Sequence, residues 1–237
     1  MVNIDRLKNG LNEYHLSVSE NQLNQFCSFY DLLIEWNSFM NLTGITEWND
    51  VVDKHFLDSA AVLKYVTLEN HKIIDIGTGA GFPGIPLCIL CPDCQFVLMD
   101  SLNKRIKFLN EVIDSIGLKN VKTVHARAED LARQDLYREQ FDFVTSRAVA
   151  NLSTLSELCI PFLKVNGRFI SYKSEKTEEE ILQAKKALFL LSSSVENVID
   201  YSILKNDYVR KLVMIKKEKP TSKKYPRKSG LPAKEPL

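Results

Sequence analysis

The chain has 237 residues, 45% of them hydrophobic, and a formal net charge of +1. That length can bury a substantial core in one large domain or two small ones, and the near-balance of charge excludes a polycation that binds nucleic acid over its whole surface. The start, MVNIDRLKNG, carries charge early and lacks an apolar core, and no stretch approaches membrane-spanning length, so the expectation is a cytoplasmic protein with no membrane partner.

Residues 1–66 read as a helical extension. Ser19-Glu20-Asn21-Gln22 forms a capping box. Leu23, Phe26, Cys27, Tyr30, Leu33 and Ile34 then recur at helical spacing, which predicts an amphipathic helix of about five turns. The run from Trp36-Asn37 to Leu42-Thr43 predicts a break. Its Asn41-Leu42-Thr43 matches a glycosylation sequon, without consequence in a chain that is not exported. Helical spacing resumes from Val51 to Tyr65. There His55 stands three residues before Asp58 on one face, either as a surface pair or as a pair facing a cleft.

Residues 67–217 read as an α/β core. Ile73, Ile74 and Ile76 form a short apolar run, as a buried parallel strand does. It ends in Gly77, Gly79, Gly81 and Gly84, a helix-compatible segment follows, and a second apolar run from Phe96 to Met99 closes on Asp100. Strand, glycine turn, helix, strand and acid make one βαβ unit for a nucleotide-like ligand, with the acid placed to accept from ribose hydroxyls. Gly79 to Gly84 literally matches the G-x-G-x-x-G dinucleotide fingerprint, so a nicotinamide-dependent oxidoreductase is one alternative. Pro83 and Pro86 argue against it, because they remove N–H donors where a pyrophosphate would need them. The frame Asp75-x-Gly77-x-Gly79-x-Gly81 resembles the first motif of Rossmann-like methyltransferases that use S-adenosylmethionine (SAM). Their ligand has no phosphate. In that resemblance the glycine turn packs on the amino-acid moiety and the acid after the second strand holds the ribose. Cys88, Cys91 and Cys94 read C-x-x-C-x-x-C, but Leu98 stands where an iron–sulfur run needs its fourth cysteine. They are expected in the core with no metal, and the odd total of five argues against a disulfide framework.

Further along, Asn103–Ile116 is expected to be a helix with Lys104, Arg105 and Lys107 in its first half, ended by Gly117. Val121–His125 reads as a third strand and Phe141–Thr145 as a fourth, with Ser146-Arg147-Ala148 at its carboxyl end. Open α/β sheets bind ligands beyond those ends, so Asp75, Asp100, Glu129 and Arg147 should converge on one edge. A helix from Ser153 to Leu163, a strand from Arg168 to Lys173, a helix near Thr177 and a closing hairpin (Val195–Ser202 and Tyr208–Ile215) complete the core. From Lys216 the composition changes: eight basic residues stand against Glu218 and Glu235, a local charge of +6, with four prolines. Residues 218–237 are therefore expected to be an extended basic tail, suited to a phosphate backbone or kept for solvation.

Missing motifs narrow the chemistry. No Asn-Pro-Pro-Tyr or Asp-Pro-Pro-Tyr follows the fourth strand, and no Pro-Cys nucleophile stands there. An acceptor with a free lone pair and no proton to lose, such as N7 of guanine, suits a site lacking an evident base. Arg147 then holds SAM or the base rather than covering N7. Taken together, DIGTGAGFPGIPL, LMDSLNKRIKFL, ARAED, SRAVA, EWNSFMNLT, HFLDS and the PRKSGLP tail closely resemble the bacterial small-subunit (16S) rRNA guanine-N7 methyltransferases, formerly called glucose-inhibited division protein B. The resemblance spans nearly the whole chain. It implies a class I SAM-dependent fold with a mostly parallel, doubly wound sheet, and methylation of one guanine in the decoding-region loop of 16S rRNA. It places SAM contacts on Gly77, Phe82, Ala128, Glu129 and Arg147, with Gly79 in the turn and Asp100, Ser101 and Leu102 nearby. It points to His55 and Lys173, with Arg147, as candidate substrate-side groups. The implied partner is 16S rRNA or the small ribosomal subunit, and nothing suggests an obligate dimer, so a monomer is expected. A non-catalytic RNA-binding module on a SAM fold is the second alternative.

Overall fold

A computed structural model describes residues 3–147, 150–174, 177–204 and 210–237. Its N-terminal segment is helical. Helix α1 (Asp5–Glu13) precedes α2 (Glu20–Met40), whose start is closed by the expected capping box between Ser19 and Gln22. Helix α2 does not break at Trp36. It runs to Met40 and stops at Asn41, which takes the left-handed conformation. Packing explains the extra turn: the Trp36 ring lies 5.6 Å from Phe108 and 5.4 Å from Phe39. Helix α3 (Trp48–Val51) leads into a π-helical stretch, Val52–Leu57, then α4 (Asp58–Ala60) and a short 3-10 turn, Ala61–Lys64. A π stretch widens the backbone ladder and is a frequent companion of functional sites; this one carries His55.

The core is a seven-stranded sheet. Strands β1 (Lys72–Ile76), β2 (Gln95–Asp100), β3 (Val121–His125), β4 (Phe141–Arg147) and β5 (Leu163–Lys173) run parallel, and β7 (Arg210–Lys217) is the reversed strand of one edge, paired antiparallel with β5 and with the outermost β6 (Ser193–Tyr201). The order is β3-β2-β1-β4-β5-β7-β6, so the chain reverses its winding between β1 and β4. Ligands sit beyond the strand ends at such a switch point. The strands are covered by α5 (Gly84–Leu90), α6 (Asn103–Ile116), α7 (Ala128–Leu131), α8 (Leu152–Cys159) and α9 (Thr177–Leu190). Two apolar clusters follow. One joins the N-terminal helices to α5, α6 and one sheet face; the other joins α8, α9 and the opposite face. Helix α6 and strand β3 keep the bounds read from the sequence. Ala148 of the SRAVA motif and the expected strand start at Tyr208 lie outside the described residues.

The C-terminal residues correct an expectation. They are not an extended tail. Tyr225 and Pro232 are buried, a short helix α10 (Leu231–Lys234) forms, and the chain end returns to α8, where Ser153 Oγ donates to the Leu237 carbonyl. Charge pairing drives this docking. Arg227 reaches the carboxylate of Glu157, which is fully buried, and Lys217 reaches Glu139. A buried acid is tolerated only when paired and hydrogen-bonded.

Candidate functional site

The glycine turn after β1 organises the site. Gly77, Gly79 and Gly81 all take positive φ, a conformation that glycine alone adopts at little cost. At Gly84 the reason is space: an added Cβ would lie 2.3 Å from Leu98 Cδ2 and 2.9 Å from Asp75 Oδ2. Asp75 itself is fully buried beneath the turn, where it accepts from Gly84 N (3.1 Å) and Thr145 Oγ1 (2.9 Å). Burial pushes its carboxyl up to about 6, against the hydrogen bonds that hold it down. It supports the turn from below rather than meeting a ligand.

The turn consumes its own donors. Gly77 and Thr78 N–H donate to the Met99 carbonyl, Gly79 N to Asp100 Oδ2, and Gly81 and Phe82 N to the Thr78 carbonyl. Gly84 N goes to Asp75 and Ile85 N to Gly81 O. No fan of free N–H groups is left for a pyrophosphate, which sets aside the dinucleotide-dependent oxidoreductase. A phosphate-free ligand fits this turn. A Cβ on Gly79 would meet only Gly77 O, at 3.9 Å, so the backbone is bare on that side.

Beside the turn lies a cavity of about 450 Å³, with Gly77, Gly79, Phe82, Asp100, Ser101 and Arg147 in its wall, and His55 and Thr43 beside them. Asp100 is buried at the end of β2. Its carboxylate accepts from Gly79 N (3.0 Å), Leu102 N (2.9 Å) and Arg105 Nη1 (3.2 Å). An ionised carboxylate offers about four acceptor positions, so roughly one stays open unless half-exposed Arg105 swings away. Leu102 stands at the rim. Ala128 and Glu129 sit to one side at the start of α7, both buried, after Ala126 N pairs with the Asp100 carbonyl (3.2 Å). Glu129 Oε1 accepts from Gly230 N (2.8 Å).

His55 stacks on Phe82, with ring centroids 4.4 Å apart, and the Arg147 guanidinium lies 5.1 Å from the same ring. Arg147 donates to Asp58 Oδ2 (2.7 Å) and to the Lys54 carbonyl (3.1 Å), and its Nη2 lies 3.2 Å from His55 Nδ1. Nδ1 also lies 3.0 Å from the Lys54 carbonyl, which only accepts, whereas arginine only donates, and Nε2 lies 2.9 Å from Thr43 Oγ1, a hydroxyl that can pair with either tautomer. Burial, and then the Arg147 charge, hold the imidazole down at about 4. His55 is neutral, with both nitrogens engaged, and is not poised as a base. The sequence pairing of His55 with Asp58 is thus realised through Arg147.

On the far side of Arg147 a second cavity, about 340 Å³, is walled by Tyr172, Lys173, Tyr201 and Arg210. Lys173 Nζ donates to Glu180 Oε2 (2.7 Å) and the Ala150 carbonyl (2.9 Å). Tyr201 Oη donates to Asp58 Oδ1 (2.7 Å). The sequence reading missed Tyr201 and Thr43. Tyr201 lies 143 positions from its partner and no local pattern marks it, whereas Thr43 was visible only as the end of a sequon. Cys88 and Cys94 are buried and Cys91 partly so; burial raises all three thiols, Cys91 to about 12, which disfavours the thiolates that a metal would need. No helix among the described residues is long and apolar enough to cross a membrane.

Comparison with known proteins bears on this geometry. The family model described as GidB, rRNA small subunit methyltransferase G, matches residues 22–208. The chain belongs to this family. It is 52% identical over 229 residues to the ribosomal RNA small subunit methyltransferase G of Lachnoclostridium phytofermentans, covering 96% of this chain and 95% of that protein. The Lactococcus lactis subsp. cremoris protein of the same name is 46% identical over 235 residues, covering 98% of both chains. The fold is that of class I SAM-dependent methyltransferases. A SAM-dependent methyltransferase from Aquifex aeolicus superposes with a TM-score of 0.55 at 16% identity, covering 71% of this chain and 93% of that one. M. jannaschii TYW2 in complex with AdoMet gives 0.54 at 19% identity, covering 68% and 74%. Membership favours the methyltransferase reading over both alternatives, the oxidoreductase and the non-catalytic module.

Proposed function

We propose that this member of the family transfers a methyl group from SAM to N7 of a guanine in the decoding-region loop of 16S rRNA, acting on the RNA or the small ribosomal subunit. The observation that carries the reading is the pair of cavities sharing Arg147. The glycine-turn cavity suits a phosphate-free nucleoside, and the cavity beyond it is large and polar enough to receive an extruded base. An enzyme working on a base in folded RNA must take that base out of its stack.

SAM supplies an electrophilic methyl carbon on a sulfonium. The chain's own residues position the partners. Gly77 and Gly79 offer bare backbone to the amino-acid end, Phe82 offers an apolar ring, and Asp100 offers its open acceptor position to the ribose, between Ser101 and Leu102. Ala128 and Glu129, at the start of α7 and outside the wall of that cavity, are the residues that would meet an adenine, whose exocyclic amine needs an acceptor. Arg147 is clamped by Asp58 and His55, so it holds one geometry between the two cavities. Lys173 and Arg210 give the acceptor side positive charge. Guanine N7 has no proton to lose, which fits a cavity whose wall carries the His55 imidazole neutral and engaged on both sides. Orientation then supplies much of the rate.

The test is direct. The protein is incubated with methyl-labelled SAM and small subunits lacking native methylation, and the labelled nucleoside is identified after digestion. Label in 7-methylguanosine is expected. Label in another nucleoside would overturn the acceptor while keeping the cofactor.

A further inference from the structure

The PRKSGLP segment, which the sequence suggested as a phosphate-binding tail, is docked against the side of the candidate cofactor site. We infer that residues Arg227–Gly230 form a positioning element of that site, acting through Glu129; the inference rests on the proposed role of Glu129 at the adenine. Its anchor is the ion pair between Arg227 and Glu157. Glu157, fully buried on α8, accepts from Arg227 N (2.7 Å), Nε (3.0 Å) and Nη2 (2.7 Å). A buried bidentate pair of this kind is rigid and specific in geometry. A second set of contacts comes from the chain just past Glu129 itself. Arg138 donates to the carbonyls of Thr221 (2.8 Å) and Tyr225 (3.0 Å), and Arg133 to that of Pro226 (2.6 Å). On the far side, Thr154 Oγ1 donates to the Pro232 carbonyl (3.0 Å). The segment is held at both ends.

Between these anchors the backbone makes one contact toward the cofactor side, from Gly230 N to Glu129 Oε1 at 2.8 Å. Gly230 has φ +84°, and an added Cβ would meet nothing within 4 Å. Glycine is therefore there for its backbone conformation, which aims the N–H, and not for space. The hydrogen bond fixes one oxygen of Glu129 and leaves Oε2 to accept from an amine. An acceptor whose rotamer is locked in advance binds its donor without first being ordered.

The experiment is a double-mutant cycle on the full-length protein, reading SAM dissociation constants by calorimetry. Arg227→Ala is expected to weaken SAM on the order of tenfold, and Glu129→Ala by a similar factor. The double variant should be no weaker than Glu129→Ala alone, because the segment has nothing to act through once the carboxylate is gone. Gly230→Ala keeps the anchor but strains the left-handed backbone, and should weaken SAM several-fold; it carries the test if Arg227→Ala does not fold. Wild-type affinity in Arg227→Ala or Gly230→Ala would overturn the inference, as would a double variant weakened by the product of the two single effects. Absence of SAM binding by the wild type would instead defeat the cofactor reading on which the inference stands.

Discussion

Replacing His55 by glutamine tests the electrostatics of the corner where the two cavities meet. Glutamine can still donate toward Thr43 and accept from Arg147, so the variant removes mainly the titration. In the folded protein, burial and Arg147 hold the imidazole pKa at about 4. In the unfolded chain it returns to about 6.5. The folded value is the lower one, so between about pH 6.5 and 4 the unfolded state binds a proton that the folded state does not. The contribution of neutral His55 is complete above pH ~6.5 and is lost as the pH falls. At pH 5 that loss covers about one and a half pK units, or about 2 kcal/mol relative to pH 7.5. Asp75 acts in the opposite sense. Its folded pKa is raised to about 6, so the cost of its buried charge is relieved as the pH falls through that value. The two trends largely offset each other in the wild type below pH ~6, and a bare stability profile would hide both. The difference between wild type and His55→Gln isolates the imidazole. Urea denaturation at about pH 7.5 and pH 5 should show this difference shifting by ~2 kcal/mol in favour of the variant on acidification. A difference that stays constant would refute the reasoning, because the imidazole would then titrate near its ordinary value, untouched by burial and by the Arg147 charge.

Other expectations follow from single contacts. Asp100→Asn should weaken SAM by ~1–3 kcal/mol, since it removes a charge and an acceptor from a residue that also ties Gly79 to Leu102; unchanged affinity by calorimetry would take Asp100 out of the site. Gly84→Ala drives a methyl into Leu98 and Asp75 and should cost ~1–3 kcal/mol in chemical denaturation as an overpacked helix–strand contact. A neutral result would mean that this helix shifts freely on the sheet. Lys223, Lys224 and Lys228 stay exposed on the docked C-terminal segment. Changing all three to glutamate should weaken RNA binding and flatten its salt dependence by roughly 2 in log–log slope, and an unaltered slope would place the RNA on another face.

Legibility followed the range of the forces involved. The βαβ unit was readable because its signals are local: apolar runs, four glycines within eight positions, and an acid at a strand end. Helix α6 and strand β3 were readable for the same reason, with Gly117 closing the helix in the left-handed conformation. The same logic put Asp75 among the site acids, because position along a strand is visible in sequence but depth is not. The apparent break at Trp36 failed where tertiary packing outweighed local preference, since Trp36 gains Phe108 as a neighbour only once α2 lies antiparallel to α6. That arrangement is set by contacts such as Gln25 Nε2 donating to the Ile116 carbonyl at 2.9 Å.

The C-terminal segment shows most plainly why composition misleads. A run with a local charge of +6 and four prolines looks unable to fold, and by itself it is. Its counter-charges lie far back in the chain, at Glu139 and Glu157, 78 residues before Lys217 and 70 before Arg227. One sign of this was present in the sequence. Glu157 interrupts the otherwise uncharged run Leu152–Cys159, on a helix whose residues are almost all buried. A carboxylate at such a position needs a cation delivered into the interior, because an unpaired buried charge costs several kcal/mol. Within the basic tail, arginine is the residue suited to make that pairing bidentate, and Arg227 is its only arginine. An isolated acid in a buried helix and a lone arginine in a lysine-rich tail are therefore two halves of one signal, and in this fold their pairing brings Gly230 against Glu129.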